Sequence, residues 1–171
     1  MKQIQRRANI TATGKYLPEK VLTNHDMEKL VETSDEWIQT RTGIRERRMV
    51  QNGQATVDMS TKAVRDLMEN YDLSPEEIDA IIVATVTPDM ILPCSAALIQ
   101  NNINAINAWG YDLSAACSGF LFGLESGAAL IESGRCKKVI VIGADTMSSI
   151  LNYKDRNTCI LFGDGAGAVL L

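Results

Sequence analysis

Ala108-Trp-Gly-Tyr-Asp-Leu113-Ser-Ala-Ala-Cys117-Ser-Gly-Phe120 is the stretch on which the reading of this chain turns. Ala108 to Leu113 is strand-like. A turn of small residues follows, and Ser118 to Ser133 predicts a long apolar helix closed by Gly134. Strand, tight turn and helix in that order put Cys117 at or beside a helix start. There a thiol meets the positive end of the macrodipole and free backbone N–H groups. That setting favours the thiolate, which is the nucleophile, and the same N–H groups can hold the oxyanion formed when a thioester is attacked. Ala115, Ala116, Ser118 and Gly119 leave room for a substrate arm to reach the sulfur. A single cysteine is otherwise a small buried hydrophobe; the strand–turn–helix context is what sets Cys117 apart.

Working outward, the predicted helix carries Gly119, Gly123 and Gly127, four apart and on one face. Three glycines cost such a helix ~2–3 kcal/mol of propensity against alanine, so a tightly packed location is expected. Ile81 to Thr85 and Val139 to Ile142 are apolar throughout, as strands buried on both faces are. Met59, Ala63, Val64, Leu67 and Met68 recur at helical spacing within Thr56 to Asn70. Ser74-Pro-Glu-Glu is a capping box with proline at the first helical position. Pro93 to Gln100 opens another helix. Ser34 caps a short helix that carries Trp37 and stops at Thr42-Gly43, and Asn24 caps an earlier one running to Leu30. Ala8 to Gly14 is β-like, and Thr158 to Phe162 and Ala166 to Leu171 predict two strands around the turn Gly163-Asp-Gly165. Apolar strands separated by helices give an α/β fold: a mixed, mostly parallel sheet covered by helices on both faces, in one domain over residues 1–171. The final apolar strand, with no polar tail, suggests a truncated chain, or a half whose open face needs a partner.

Composition narrows the function. A net charge of −4 over 171 residues argues against nucleic acid as a partner. No apolar run is long enough to span a membrane. The opening Met1-Lys-Gln-Ile-Gln-Arg-Arg is basic without an apolar signal core behind it, so the cytoplasm is expected. Cys94, Cys117, Cys136 and Cys159 lack C-x-x-C spacing and His25 is the only histidine, so no metal site is implied. Arg45, Arg47 and Arg48 form a small basic cluster, either a solvated face or a patch for a phosphate or an acidic carrier. Gly163-Asp-Gly165-Ala-Gly167 lacks the spacing and following helix of a dinucleotide loop, so a nicotinamide or flavin cofactor is rejected.

Asp112-Leu-Ser-Ala-Ala-Cys-Ser-Gly-Phe120 resembles the active-site segment of β-ketoacyl-acyl carrier protein synthase III, a condensing enzyme of the thiolase fold. Thr33-Ser-Asp-Glu-Trp-Ile-Gln-Thr-Arg-Thr-Gly-Ile-Arg45 resembles that family's coenzyme A segment, and Leu161-Phe-Gly-Asp-Gly-Ala-Gly-Ala168 its mid-chain hairpin. The three matches keep the family's order and cover nearly the whole chain. The resemblance implies that Cys117 accepts an acyl group from acyl-coenzyme A, acetyl-coenzyme A being the expected starter. Malonyl-acyl carrier protein then supplies a carbanion by decarboxylation, giving the 3-oxoacyl product that begins type II fatty-acid synthesis.

The resemblance also implies that Trp37 stacks on the coenzyme A adenine, that Arg41 and Arg156 hold the nucleotide end, and that Thr33 falls beside them. A flat aromatic with arginines nearby suits an adenine and phosphates, although taken alone Trp37 is a helix anchor and the arginines are solvated charges. Leu92 stands where many members have a phenylalanine that enters the partner subunit's acyl pocket, and Phe162 matches a pocket-side aromatic. The coenzyme A thioester is a substrate; no cofactor is implied. A homodimer is implied, as is a C-terminal half, absent here, that carries the catalytic histidine and asparagine. His25 is a surface residue at a helix start. Two other readings stay open. One is a related thiolase-fold acyltransferase of secondary metabolism or of 3-hydroxy-3-methylglutaryl-coenzyme A synthase type. The other is a non-catalytic half-protein that binds acyl-coenzyme A.

Overall fold

The computed structural model describes residues 7–51 and 53–171; all of the basic opening stretch but Arg7 lies outside the described residues. A five-stranded sheet has the order β1 (Ala12–Tyr16), β7 (Asp164–Leu170), β6 (Val139–Thr146), β4 (Ala80–Ala84), β5 (Trp109–Leu113). β4 pairs in parallel with β5 and β6, whereas β7 lies antiparallel between β6 and β1. Thus β1, β4, β5 and β6 all point one way and only β7 opposes them, which is the mixed, mostly parallel sheet the sequence predicts.

Period-two alternation sorts the strand residues between two cores. Ile81, Val83, Ile140, Ile142, Ala168 and Leu170 face α3 (Thr56–Tyr71) and α4 (Ser95–Asn102). Ala80, Ile82, Val139, Val141, Val169 and Leu171 face α5 (Gly119–Glu132). Both faces therefore carry helices. The α5 face is covered incompletely: beside the helix a cleft of about 400 Å³ opens among Thr13, Phe120, Gly143, Gly167 and Val169. The glycines of α5 explain how it lies down. A Cβ at Gly123 would stand 2.9 Å from Val141 Cγ1, and one at Gly127 2.8 Å from Leu171 Cδ1. Residues 119, 123 and 127 are the buried face of α5, so the tight packing expected of the glycine stripe is present.

A smaller layer stands beside the sheet. β2 (Lys20–Thr23) and β3 (Glu46–Met49) pair antiparallel. With α1 (Asn24–Met27), α2 (Asp35–Thr42) and α6 (Arg156–Cys159) they enclose Met27, Ile38, Cys159 and Ile160. Ser34 Oγ accepts from Trp37 N and left-handed Gly43 ends α2, as the sequence predicts.

Five expectations are corrected. Thr158 to Phe162 is not a strand: Asp155 caps α6 by accepting from Asn157 N, and the chain then turns into β7. The predicted turn Gly163-Asp-Gly165 opens no hairpin, because β7 starts at Asp164 and pairs with the distant β6 and β1. α1 is capped by Thr23 and ends at Met27, and the Ser74 capping box holds only a short 3₁₀ turn over Pro75–Glu77. Arg47 is neither a solvated charge nor part of a surface patch: it is 4% exposed.

Candidate active site

In a parallel sheet the segments leaving the carboxyl ends of the strands converge on one edge, where ligands bind. Three such segments matter here. Leu92 lies in the connection after β4, Cys117 in the one after β5, and the residues from 147 onward follow β6. Because β7 is antiparallel and pairs Asp164 with Thr146, Phe162 enters from the same edge. The topology therefore gathers Leu92, Cys117 and Phe162 at one end of the sheet, although they are distant in sequence.

Cys117 is exposed, in the middle of a 3₁₀ turn spanning Ala116–Ser118 that runs directly into α5. Ala116 has φ 46°, a left-handed conformation that costs a residue with a Cβ ~1–2 kcal/mol. Such strain persists only where the surroundings over-determine it, and here it presents the neighbouring thiol to solvent. The approach to this turn is fixed from below. Asp112, on β5, accepts from Ser95 N at 2.7 Å and Ala96 N at 2.8 Å, so the strand that delivers Cys117 also caps α4. The helix-start donors expected to face a substrate are in part turned inward: Ser118 N donates to Ala115 O and Gly119 N to Ala116 O.

A second constellation lies in the smaller layer. The Arg41 guanidinium sits 4.3 Å from the Trp37 ring centroid and that of Arg156 5.1 Å away. These separations are within cation–π range. Arg156 also donates from Nη1 to Glu32 O at 2.9 Å, which ties α6 to the loop before α2. Next to Glu32, Thr33 has a hydroxyl oxygen that is buried and, among the described residues, without a hydrogen-bond partner. A desolvated, unpaired hydroxyl is costly to the fold, and no hydrogen bond among the described residues offsets it here. The structure thus brings together Thr33, Trp37, Arg41 and Arg156. His25 stays apart, exposed on α1 with Glu28 Oε2 3.4 Å from its Nδ1.

Leu92 is 82% exposed and follows Ile91, itself 87% exposed; the Leu92–Pro93 bond is cis. Phe162 is 37% exposed, not the ordinary core residue that its apolar neighbours suggest. Sequence reasoning missed Asp145. Its Oδ1 accepts from Thr85 Oγ1, Val86 N and Thr87 Oγ1 at 3.0, 2.8 and 3.1 Å, which holds the start of the loop that carries Leu92. The only available signal was an acidic residue at the end of an apolar strand. Among the described residues no group of histidine, cysteine or acidic side chains could hold a metal. Among the described residues no helix is long and apolar enough to cross a membrane.

Comparison with known proteins gives these features a frame. Residues 111–171 match the family model for 3-oxoacyl-[acyl-carrier-protein] synthase III. The chain is 60% identical over 166 residues to the β-ketoacyl-[acyl-carrier-protein] synthase III of Chlorobaculum tepidum, covering 96% of this chain and 50% of that protein. The crystal structure of the 3-oxoacyl-[acyl-carrier-protein] synthase III of Aquifex aeolicus superposes with a TM-score of 0.91 at 50% identity, covering 94% of this chain and 52% of that one. The priming β-ketosynthase of the R1128 polyketide pathway superposes with a TM-score of 0.92 at 35% identity, covering 98% and 51%. The chain spans about half the length of the curated relatives it matches.

Proposed function

We propose that this chain, which belongs to the β-ketoacyl-[acyl-carrier-protein] synthase III family, carries the acyl-accepting site of a condensing enzyme that starts type II fatty-acid synthesis. The observation that carries the reading is Cys117, exposed on a strained turn at the carboxyl edge of the sheet. Its thiolate attacks the carbonyl carbon of an acyl-coenzyme A. The tetrahedral intermediate collapses, the coenzyme A thiolate leaves and takes up a proton, and an acyl-cysteine remains. Malonyl-acyl carrier protein then loses carbon dioxide, and its carbanion attacks that thioester, returning the cysteine. The cluster of Trp37, Arg41 and Arg156 grips the nucleotide end, with the Thr33 hydroxyl beside it.

The histidine and asparagine expected to assist decarboxylation are assigned to a C-terminal half. Leu121 and Phe122, exposed on α5, and the cleft beside that helix support a second half packing there. The apolar exposure of Ile91, Leu92, Ile106 and Trp109, with β5 at the sheet edge, supports a homodimer. Leu92 and Phe162 are the side chains assigned to the acyl pocket. Four free cysteines fit a reducing cytoplasm. The likeness to a priming ketosynthase keeps a secondary-metabolism relative as the second reading.

Intact-mass spectrometry after incubation with acetyl-coenzyme A and a series of longer esters tests the assignment, with Cys117→Ala as the control. An acyl adduct lost in the control is expected. No adduct on the folded protein, even with the proposed second half supplied, would refute Cys117 as the acceptor.

A further inference from the structure

Arg47 is 4% exposed, so it cannot itself meet a ligand. Among the described residues its charge is in no ion pair; it is held by neutral oxygens. Nε donates to Ile160 O at 2.8 Å, Nη2 donates to the same carbonyl, and Nη1 donates to Asn24 Oδ1 at 2.7 Å. Asn24, 1% exposed, passes the connection on: its Nδ2 donates to Asp35 Oδ1 and to Ile44 O, each at 2.8 Å. The chain Ile160–Arg47–Asn24–Asp35 therefore links the end of α6 to the first residue of α2. α6 begins with Arg156, and α2 carries Trp37 and Arg41. Burying an arginine without a carboxylate beside it is expensive, and desolvation pushes its pKa down. The fork geometry is what such a site needs, because its planar N–H groups hold two acceptors in fixed directions, whereas an ammonium is a point charge on a flexible stem.

We propose that Arg47 is a positioning residue for the nucleotide clamp: through Asn24 and Ile160 it sets the separation of α2 and α6, so that Arg156 and Arg41 both meet Trp37. This rests on the reading of that cluster as the coenzyme A nucleotide site. The test uses the protein at its natural length. Coenzyme A binding is measured by calorimetry, and acylation of Cys117 is compared between acetyl-coenzyme A and acetyl-pantetheine, which lacks the nucleotide. For Arg47→Lys we expect coenzyme A to bind about tenfold more weakly, the loss of one good charged hydrogen bond. The ratio of acylation by acetyl-coenzyme A to that by acetyl-pantetheine falls by a similar factor. Asn24→Ala, which cuts the relay at its other end, shifts the ratio in the same direction and decides the matter if Arg47→Lys does not fold. An unchanged ratio, whether both esters fall together or neither does, overturns the proposal. Trp37→Ala tests the underlying reading separately: if coenzyme A binding survives that change, the nucleotide assignment fails whatever the Arg47 variants do.

Discussion

Gly123→Ala sets two physical effects of opposite sign against each other. On a solvent-facing helix the change would stabilise by ~1 kcal/mol, because alanine loses less backbone entropy than glycine. Gly123 instead faces the sheet, where a new Cβ would stand 2.9 Å from Val141 Cγ1 and 3.6 Å from Ile82 Cγ2. Val141 is fully buried and β-branched on a central strand, so it cannot rotate away. The helix must retreat instead, and overpacking of this kind costs ~1–3 kcal/mol. We expect a net loss of ~1 kcal/mol, and for a domain of this size a Tm lower by ~2–4 °C. Thermal unfolding followed by circular dichroism measures it. The double variant with Val141→Ala should recover the helix gain and give a coupling of ~1 kcal/mol or more between the two sites. If Gly123→Ala raises Tm, as at an open helix position, the claim that glycine sets the approach of α5 to the sheet is refuted. Because α5 starts two residues after Cys117, the same variant should also slow acylation of Cys117.

Ala116→Gly relieves the positive φ and should change stability by less than ~1 kcal/mol in the favourable direction, while slowing Cys117 acylation by loosening the turn; slower acylation without loss of Tm is the expected pair of readings. Asp112→Asn leaves one of the two α4 amides facing an NH₂ group and should cost ~1–3 kcal/mol in chemical denaturation. Iodoacetamide at pH 8 should label exposed Cys117 and spare Cys136 and Cys159, whose thiols burial pushes up; peptide mass mapping checks this. At the acid end, Lys29 holds Asp26 low, Asn24 holds Asp35 low and Lys138 holds Glu77 low. Carboxylates depressed in the fold stabilise it above their unfolded pKa near 4 and lose that contribution as pH falls, so Tm should drop below pH ~4, and less steeply in Asp26→Asn.

Sequence made some elements plain because their determinants are local. Ser34 and Gly43 mark the two ends of α2, and the stripe from Met59 to Leu67 is a periodicity that only a helix explains. The strand–turn–helix around Cys117 was legible for the same reason, down to the need for small residues. What was not legible depends on distant partners. Cys159-Ile-Leu-Phe162 has strand composition, but its carbonyl at Ile160 is taken by Arg47, over a hundred positions earlier. Asp164 resembled a turn residue; in the fold it is 5% exposed and accepts from Val50 N and Ser148 N, each at 2.8 Å. Arg47 itself sits in a run of charges that predicts exposure. The β2–β3 pair was missed because its residues are mostly polar and its pairing is non-local.

The place of β7 bears on how the chain is made. A ribosome releases β1 first and β7 more than a hundred residues later, yet Ala12 pairs with Leu170. Until then β1 has no neighbour in its sheet and β6 lacks one flank, so the nascent chain presents unpaired strand edges until residue 170 is made. Sheet closure must wait for long-range contacts, which are slow to form. The interval before residue 170 emerges is therefore when the edges of β1 and β6 are open to pairing with another chain.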